Sequence, residues 1–343
     1  MISMGVTEQD DFPTGVTAAT KVLFISKGAE ASSTRYRALQ FFPQLEAAAF
    51  LPTHHTVADG PGSYLAALRR ARQADCVVVL RKTFPSLYLR LLRKCSRRLL
   101  FDFDDAIFCN TDGTRSATRM KRFVAMARLA DHISAGNEFL AAQARTFNSA
   151  VVVIPTSVDP DQYRVETKKP DTCIDLVWIG SKATRKYLVD ALPWLDLAAE
   201  RIPSLRLKII ADFDLPDCGI PTLPVAWRKE TEAAELASSH IGIAPMRDDD
   251  WSRGKCALKV LQYMAAGLPV VSSRAGANAE ILADETCGYL AETPQEWVAR
   301  LADLVAAPGL RHRMGEAGRT RVAADYSIAA AFARMRAMLE SGS

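Results

Sequence analysis

Two lysines four residues apart, Lys255 and Lys259, sit where this chain could hold a phosphate. They belong to the stretch DDDWSRGKCALKVLQYMAAGLPVVSSRAGANAE, residues 248–280. Residues 256–266 read as a helix; Gly267 fits a left-handed C-cap, and Pro269 forbids continuation. Val270 and Val271 then open a buried strand. The start of such a helix carries unpaired N–H groups and the positive end of the macrodipole, and lysines one turn apart add charge there. Cys256, Ala257 and Leu258 complete that turn. Further cations stand at Arg35 and Arg37, behind a small-residue loop with Gly28, Ser32 and Ser33. Asp102, Asp104 and Asp105 follow a strand at i, i+2 and i+3. They could hydrogen-bond a second substrate, cap structure, or bind Mg²⁺ beside phosphates.

Other chemistries find no support. The histidines at 54, 55, 132, 240 and 312 have no ligand spacing, and no Ser-His-Asp motif occurs. No two of the seven cysteines are closer than 14 positions, and there is no Cys-x-x-Cys, which argues against zinc sites and disulfide frameworks. Reduced thiols in a cytoplasm are expected. A net charge of +4 suits a phosphate-bearing ligand, but no basic tract has the interleaved aromatics of a nucleic-acid platform.

The elements that must position these residues alternate. With 343 residues, two domains are expected. Residues 1–20 read as a disordered tail without the apolar core of a signal peptide. No apolar run reaches the ~18 residues that span a bilayer. Strands are predicted at 21–26, 76–80, 99–103, 131–136 and 150–154, with helices from 34 to about 49 and over 63–73, 114–130 and 138–145. Residues 155–170 are polar and turn-rich and read as a linker. The pattern restarts with strands at 174–179, 205–211, 223–227, 241–245 and 270–271, and helices at 185–201, 229–237 and 256–266. This predicts an α/β fold of two Rossmann-like, doubly wound domains facing across a cleft. Their expected bounds are 21–160 and 161–325, with a C-terminal helix over 326–343. The segment 87–98, LYLRLLRKCSRR, is basic and amphipathic. It suits an anionic membrane surface, or a helix with its leucines in the core and its arginines in water.

The run LQYMAAGLPVV resembles the nucleotide-binding helix of family 4 glycosyltransferases of the GT-B fold, in the branch with Lys-x-x-Glu/Gln-Tyr-Met-Ala: Lys259, Gln262, Tyr263, Met264 and Ala265 match. IPTSVDPDQY, ADHISAGNEFLA, GANAEIL with CGYLA, and LFDFDD are similar to further motifs of that family, so the resemblance covers nearly the whole chain. It implies that Gly180, Ser181, Arg185, Asp250, Lys255, Cys256, Ala257, Leu258, Lys259 and Gln262 bind the donor. By the same token Lys186, Arg37 and Asp104 are the candidate catalytic residues. Two departures stand out. Ser181 replaces an arginine. Gly254 and Gln262 replace two glutamates eight residues apart. Gln262 can still bond a ribose hydroxyl, while Gly254 cannot hold a sugar hydroxyl and leaves that contact to Asp248, Asp249 or Asp250.

The function so implied is transfer of a hexosyl unit from a nucleotide-sugar to a hydroxyl of a polysaccharide or glycolipid acceptor. The anomeric configuration is retained and neither metal nor cofactor is needed. The expected partners are the nucleotide-sugar donor, a glycan or lipid-linked acceptor, and an anionic membrane at the cytoplasmic inner face, but not nucleic acid. The alternatives are a GT-B nucleotide-sugar epimerase and a catalytically degenerate nucleotide-sugar-binding protein.

Overall fold

The computed structural model describes residues 19–58 and 60–341. The tail expected over residues 1–20 falls, up to residue 18, outside the described residues. Continuous apolar runs such as CVVVL form strands buried on both faces, as parallel sheets require. Among the described residues two six-stranded parallel sheets carry the fold. The first holds β1 (Thr20–Ser26), β2 (Phe50–Thr56), β3 (Cys76–Leu80), β4 (Arg98–Phe103), β5 (His132–Ala135) and β6 (Val151–Val153), in the order β2-β1-β3-β4-β5-β6. The second holds β7 (Ile174–Ile179), β8 (Leu205–Ala211), β9 (Thr222–Ala226), β10 (Ile241–Ala244), β11 (Val270–Ser272) and β12 (Gly288–Leu290), in the order β12-β11-β10-β7-β8-β9. The order in which successive strands are added therefore reverses between β1 and β3 and again between β7 and β10. Such switch points, at the carboxyl edge of a parallel sheet, open crevices for ligands.

Helices cover both faces of each sheet. The last one, Ile328–Glu340, returns from the second sheet to the first. Its Ala331, Met335, Met338 and Leu339 are buried in one cluster with Val22, Phe24 and Leu100. The Arg98 guanidinium donates to the carbonyls of Met338, Leu339 and Ser341, which satisfies groups that a helix C-terminus leaves open. Trp251 also crosses over: it is buried in the cluster of Phe101, Phe103 and Phe123 beneath the first sheet.

Three local differences from the sequence expectation have physical causes. Strand β2 was not foreseen because FLPTHHT contains a proline and two histidines. It is an edge strand, paired residue for residue with β1, where a missing N–H is tolerated. The helix expected from 34 to about 49 is divided into Ser32–Arg37, a 3₁₀ turn Leu39–Phe41 and Phe42–Ala47. Pro43 opens the last piece, having no N–H with which to continue the first. The helix expected from 256 starts instead at Leu258, because Ala257 takes a left-handed backbone (φ 55°). Gly267, at φ 74°, does end that helix in the left-handed conformation.

Candidate functional site

The carboxyl ends of β1, β3, β7 and β10 meet at one cavity of about 560 Å³. Gly180 and Ser181 line it after β7, and Ala244 and Pro245 after β10; Lys255, Cys256, Ala257, Leu258, Lys259 and Gln262 follow from the helix start. The opposite wall comes from the first sheet: Ser32, Ser33, Arg35 and Tyr36 after β1, Arg81 after β3, and Asp104 and Asp105 after β4.

Two lysines dominate the electrostatics. The Lys259 ammonium lies 4.8 Å from the centroid of the Trp178 ring and has no carboxylate within ion-pair distance among the described residues. Burial, then repulsion from Lys255, pushes its pKa down to about 7. Lys255 sits 2.6 Å from Asp105 and 4.3 Å from the Trp251 ring centroid. Burial, then Arg81, pushes its pKa down to about 8. The helix between Leu258 and Ala265 begins beside them, and its first-turn amides have no carbonyl one turn back. Under-compensated cations beside free amides in a cavity make an anion site.

Other expected residues lie elsewhere. Arg37 is 2% exposed and does not reach the cavity. Its Nε donates to Asp102 at 2.9 Å, its Nη2 to Asp102 and to Ser134, and its Nη1 to the Ile154 carbonyl. It ties β4, β5 and the chain after β6 together from below, so the first-domain cations at the cavity are Arg35 and Arg81 instead. The Arg35 Nε is buried without a partner. Lys186 donates to the Thr111 carbonyl at 2.8 Å, a bridge between the two halves outside the cavity. Arg185 turns away, with its Nε 3.2 Å from the Asp214 carbonyl and its guanidinium over Phe213. None of the three acidic residues expected to replace a sugar contact lines the cavity. Asp248 pairs with Arg253, Asp249 caps the helical turn Asp250–Arg253, and Asp250 lies in that turn.

The glycine at 254 has a steric reason. A Cβ there would stand 2.6 Å from the Ala106 backbone nitrogen, so the loop after β4 occupies the space a side chain would need. The three carboxylates after β4 diverge. Asp102 is consumed by Arg37, and Asp105 pairs with Arg81 and Lys255. Asp104 keeps Oδ1 buried without a hydrogen bond at the cavity wall, 3.7 Å from the Arg81 Nε. Among the cavity residues that escaped the sequence reading are two charged ones, Arg81 and Glu232. Arg81 follows the buried strand CVVVL directly, and that placement was a usable signal. Glu232 lies in the polar run RKETEAAE, which carries none.

Comparison with known proteins agrees with this fold. Residues 176–307 match the family model described as Glycosyl transferases group 1. Over 137 residues the chain is 32% identical to the MMP alpha-(1->4)-mannosyltransferase of Mycolicibacterium hassiacum, covering 39% of this chain and 31% of that protein. The chain spans less than a third of the length of the curated relatives it matches. A sucrose-phosphate synthase from Thermosynechococcus elongatus superposes with TM-score 0.73 at 16% identity, over 93% of this chain and 98% of that one. Anabaena HepE, solved with UDP-glucose, gives TM-score 0.67 at 13% identity, over 94% and 99% of the two chains. The fold is GT-B: two Rossmann-like domains, of six strands each among the described residues.

Proposed function

We propose that this chain transfers a hexosyl unit from a nucleoside-diphosphate sugar to a hydroxyl of a glycan or lipid-linked acceptor, with retention of configuration. The observation that carries the reading is Lys259. A half-buried ammonium without a carboxylate beside it among the described residues is costly unless an anion completes it, and this one stands beside free helix amides and Lys255 where two switch points meet. HepE, which shares the fold, is solved with UDP-glucose. In this reading the diphosphate rests on Lys255, Lys259 and the first-turn amides. As the glycosidic bond stretches, charge builds on the diphosphate, and these fixed donors stabilise it. The leaving diphosphate takes the acceptor proton, and Asp104, paired with Arg81 on the opposite wall, holds the acceptor hydroxyl. No histidine among the described residues lines the cavity, which favours transfer over epimerisation, a reaction that needs a carboxylate and histidine set at the sugar.

The reading is tested by thermal shift with uridine, guanosine and adenosine diphosphates and their sugar conjugates. One of them should raise the melting temperature, since a ligand at ~100 times its Kd adds about 2.7 kcal/mol. Because lysines and amides supply the positive charge, the shift should survive EDTA. Silence from all of them would sink the reading; a shift lost to EDTA and restored by Mg²⁺ would replace lysine neutralisation by metal.

The acceptor side adds a membrane surface to the proposal. Among the described residues no helix is long and apolar enough to cross a membrane. The leucines of the helix Ser86–Cys95 divide: Leu89 and Leu92 are buried, while Leu87 is 72% and Leu91 43% exposed. Leu65 of the neighbouring helix Pro61–Ala71 is 54% exposed, and Arg69, Arg90 and Lys94 of the same two helices are exposed as well. The protein should co-sediment with anionic vesicles, not neutral ones, and salt should release it. Equal recovery with both vesicle types would return this face to plain solvation.

A further inference from the structure

The far end of the cavity holds a carboxylate that pairs with no cation among the described residues. Glu232, 7% exposed, accepts from the Tyr163 hydroxyl at 2.6 Å and from Gln262 Nε2 at 2.7 Å on Oε1, and from Trp227 Nε1 at 2.7 Å on Oε2. Gln262 Nε2 also lies 3.2 Å from the Tyr163 hydroxyl oxygen. We propose that Glu232 is a positioning residue: it locks the Gln262 amide so that this end of the cavity selects a vicinal diol, and hence ribose over 2-deoxyribose in the ligand. The proposal rests on the nucleoside-diphosphate reading above.

The argument is one of donors and acceptors. A carboxylate only accepts, so the amide group facing Glu232 must be the nitrogen, and the Gln262 orientation is fixed by chemistry. The two Nε2 hydrogens face Glu232 and Tyr163, which leaves Oε1 as the remaining group of Gln262, a pure acceptor. Glu232 has about four lone-pair sites and three are filled, so one is left on Oε2. Glu232 and Gln262 both line the cavity. Two acceptors side by side call for two donors side by side. Ribose offers adjacent 2′- and 3′-hydroxyls, 2-deoxyribose offers one, and a phosphate at neutral pH brings charge that the carboxylate repels. Gln262 stands three residues after Lys259, about one helical turn or ~5 Å along the axis. One end of the cavity is thus cationic and the other accepts hydrogen bonds, which suits a ribose 5′-diphosphate laid along the helix.

The test is calorimetric titration of the full chain with uridine, guanosine and adenosine 5′-diphosphates, each against its 2′-deoxy counterpart. Wild type should hold the ribo form of its preferred nucleotide about 10–100-fold tighter, the scale of a hydrogen bond to a charged group. Glu232→Gln, nearly isosteric, should bring the ratio within about threefold, because its amide lets Gln262 turn over. If that variant does not fold, Gln262→Leu removes the acceptor that Glu232 orients and carries the same expectation, while Tyr163→Phe, in which Glu232 still holds the Gln262 amide, should keep the wild-type ratio. Equal ribo and deoxy affinities in wild type would overturn this inference and leave diphosphate binding intact. A folded Glu232→Gln with the full wild-type ratio would remove Glu232 from the role. Failure of every diphosphate to bind would strike the underlying reading as well.

Discussion

Replacing Lys259 with methionine should weaken nucleoside-diphosphate binding by about 10–100-fold and, in the same variant, raise the melting temperature of the free protein. The first effect is the loss of a charged donor to phosphate, an interaction of roughly 1.5–3 kcal/mol. The second follows from the cost of holding a half-buried ammonium beside an indole ring and a second lysine. Methionine has a similar length and no charge, and replacing a buried ion with an apolar residue is often stabilising. The sign with pH is fixed. An unfolded lysine titrates near 10.5, and this one near 7 when folded. Between those values the unfolded chain binds more protons, so the stability of wild type rises with pH. The gain of Lys259→Met should therefore be largest below pH 7 and fade towards pH 10. A gain of about 2–4 °C at pH 6 is the scale for ~1 kcal/mol in a domain of this size. Scanning calorimetry at pH 6, 8 and 10 measures it. A variant less stable than wild type at pH 6 would show that Lys259 holds the fold together and is not reserved for a ligand.

Linkage extends the same reasoning to the ligand. An anion beside Lys259 favours the charged form and draws its pKa back up. At pH 8 binding should thus take up protons, visible as a binding enthalpy that changes with the ionisation enthalpy of the buffer. The methionine variant should lose most of that uptake and keep only the share due to Lys255.

The fold was legible because its signals are local. Apolar strands alternating with helices, Gly267 at a helix end and Pro269 behind it are read within a few residues. One wall of the cavity was legible for the same reason: Lys255, Lys259 and Gln262 lie on one short segment, and all three line it. What failed was any judgement that depended on distant chain. Arg37 precedes its partner Asp102 by 65 positions, and nothing near it in sequence shows that its guanidinium is consumed. Ala106 blocks position 254 from far upstream. Glu232 reaches Gln262 across 30 positions. Side-chain direction is the missing quantity: Arg35 and Arg37 lie two apart on one short helix, and only one faces the cavity.

The contrast between Lys255 and Lys186 turns that lesson into kinetics. Both lysines were candidates to face the donor diphosphate. Lys255 lines the cavity beside the helix start, whereas Lys186 spends its ammonium on the Thr111 carbonyl outside it. A donor aimed at developing charge stabilises the transition state more than the ground state, and losing one typically costs ~10²–10³ in rate, or roughly 3–4 kcal/mol. Lys255→Ala should lower kcat by about that factor. Asp105 still has Arg81 as a partner in that variant, so the fold and melting behaviour should stay near wild type. Lys186→Ala removes one exposed hydrogen bond between the domains, worth about 0.5–1.5 kcal/mol, and should change kcat by less than about threefold. The measurement is steady-state kinetics on both variants with the nucleotide-sugar that the binding screen selects, donor varied at saturating acceptor. A hundredfold loss in Lys186→Ala with near-normal Lys255→Ala would reverse the assignment: it would mean that Lys186 leaves Thr111 and swings onto the diphosphate once donor is bound.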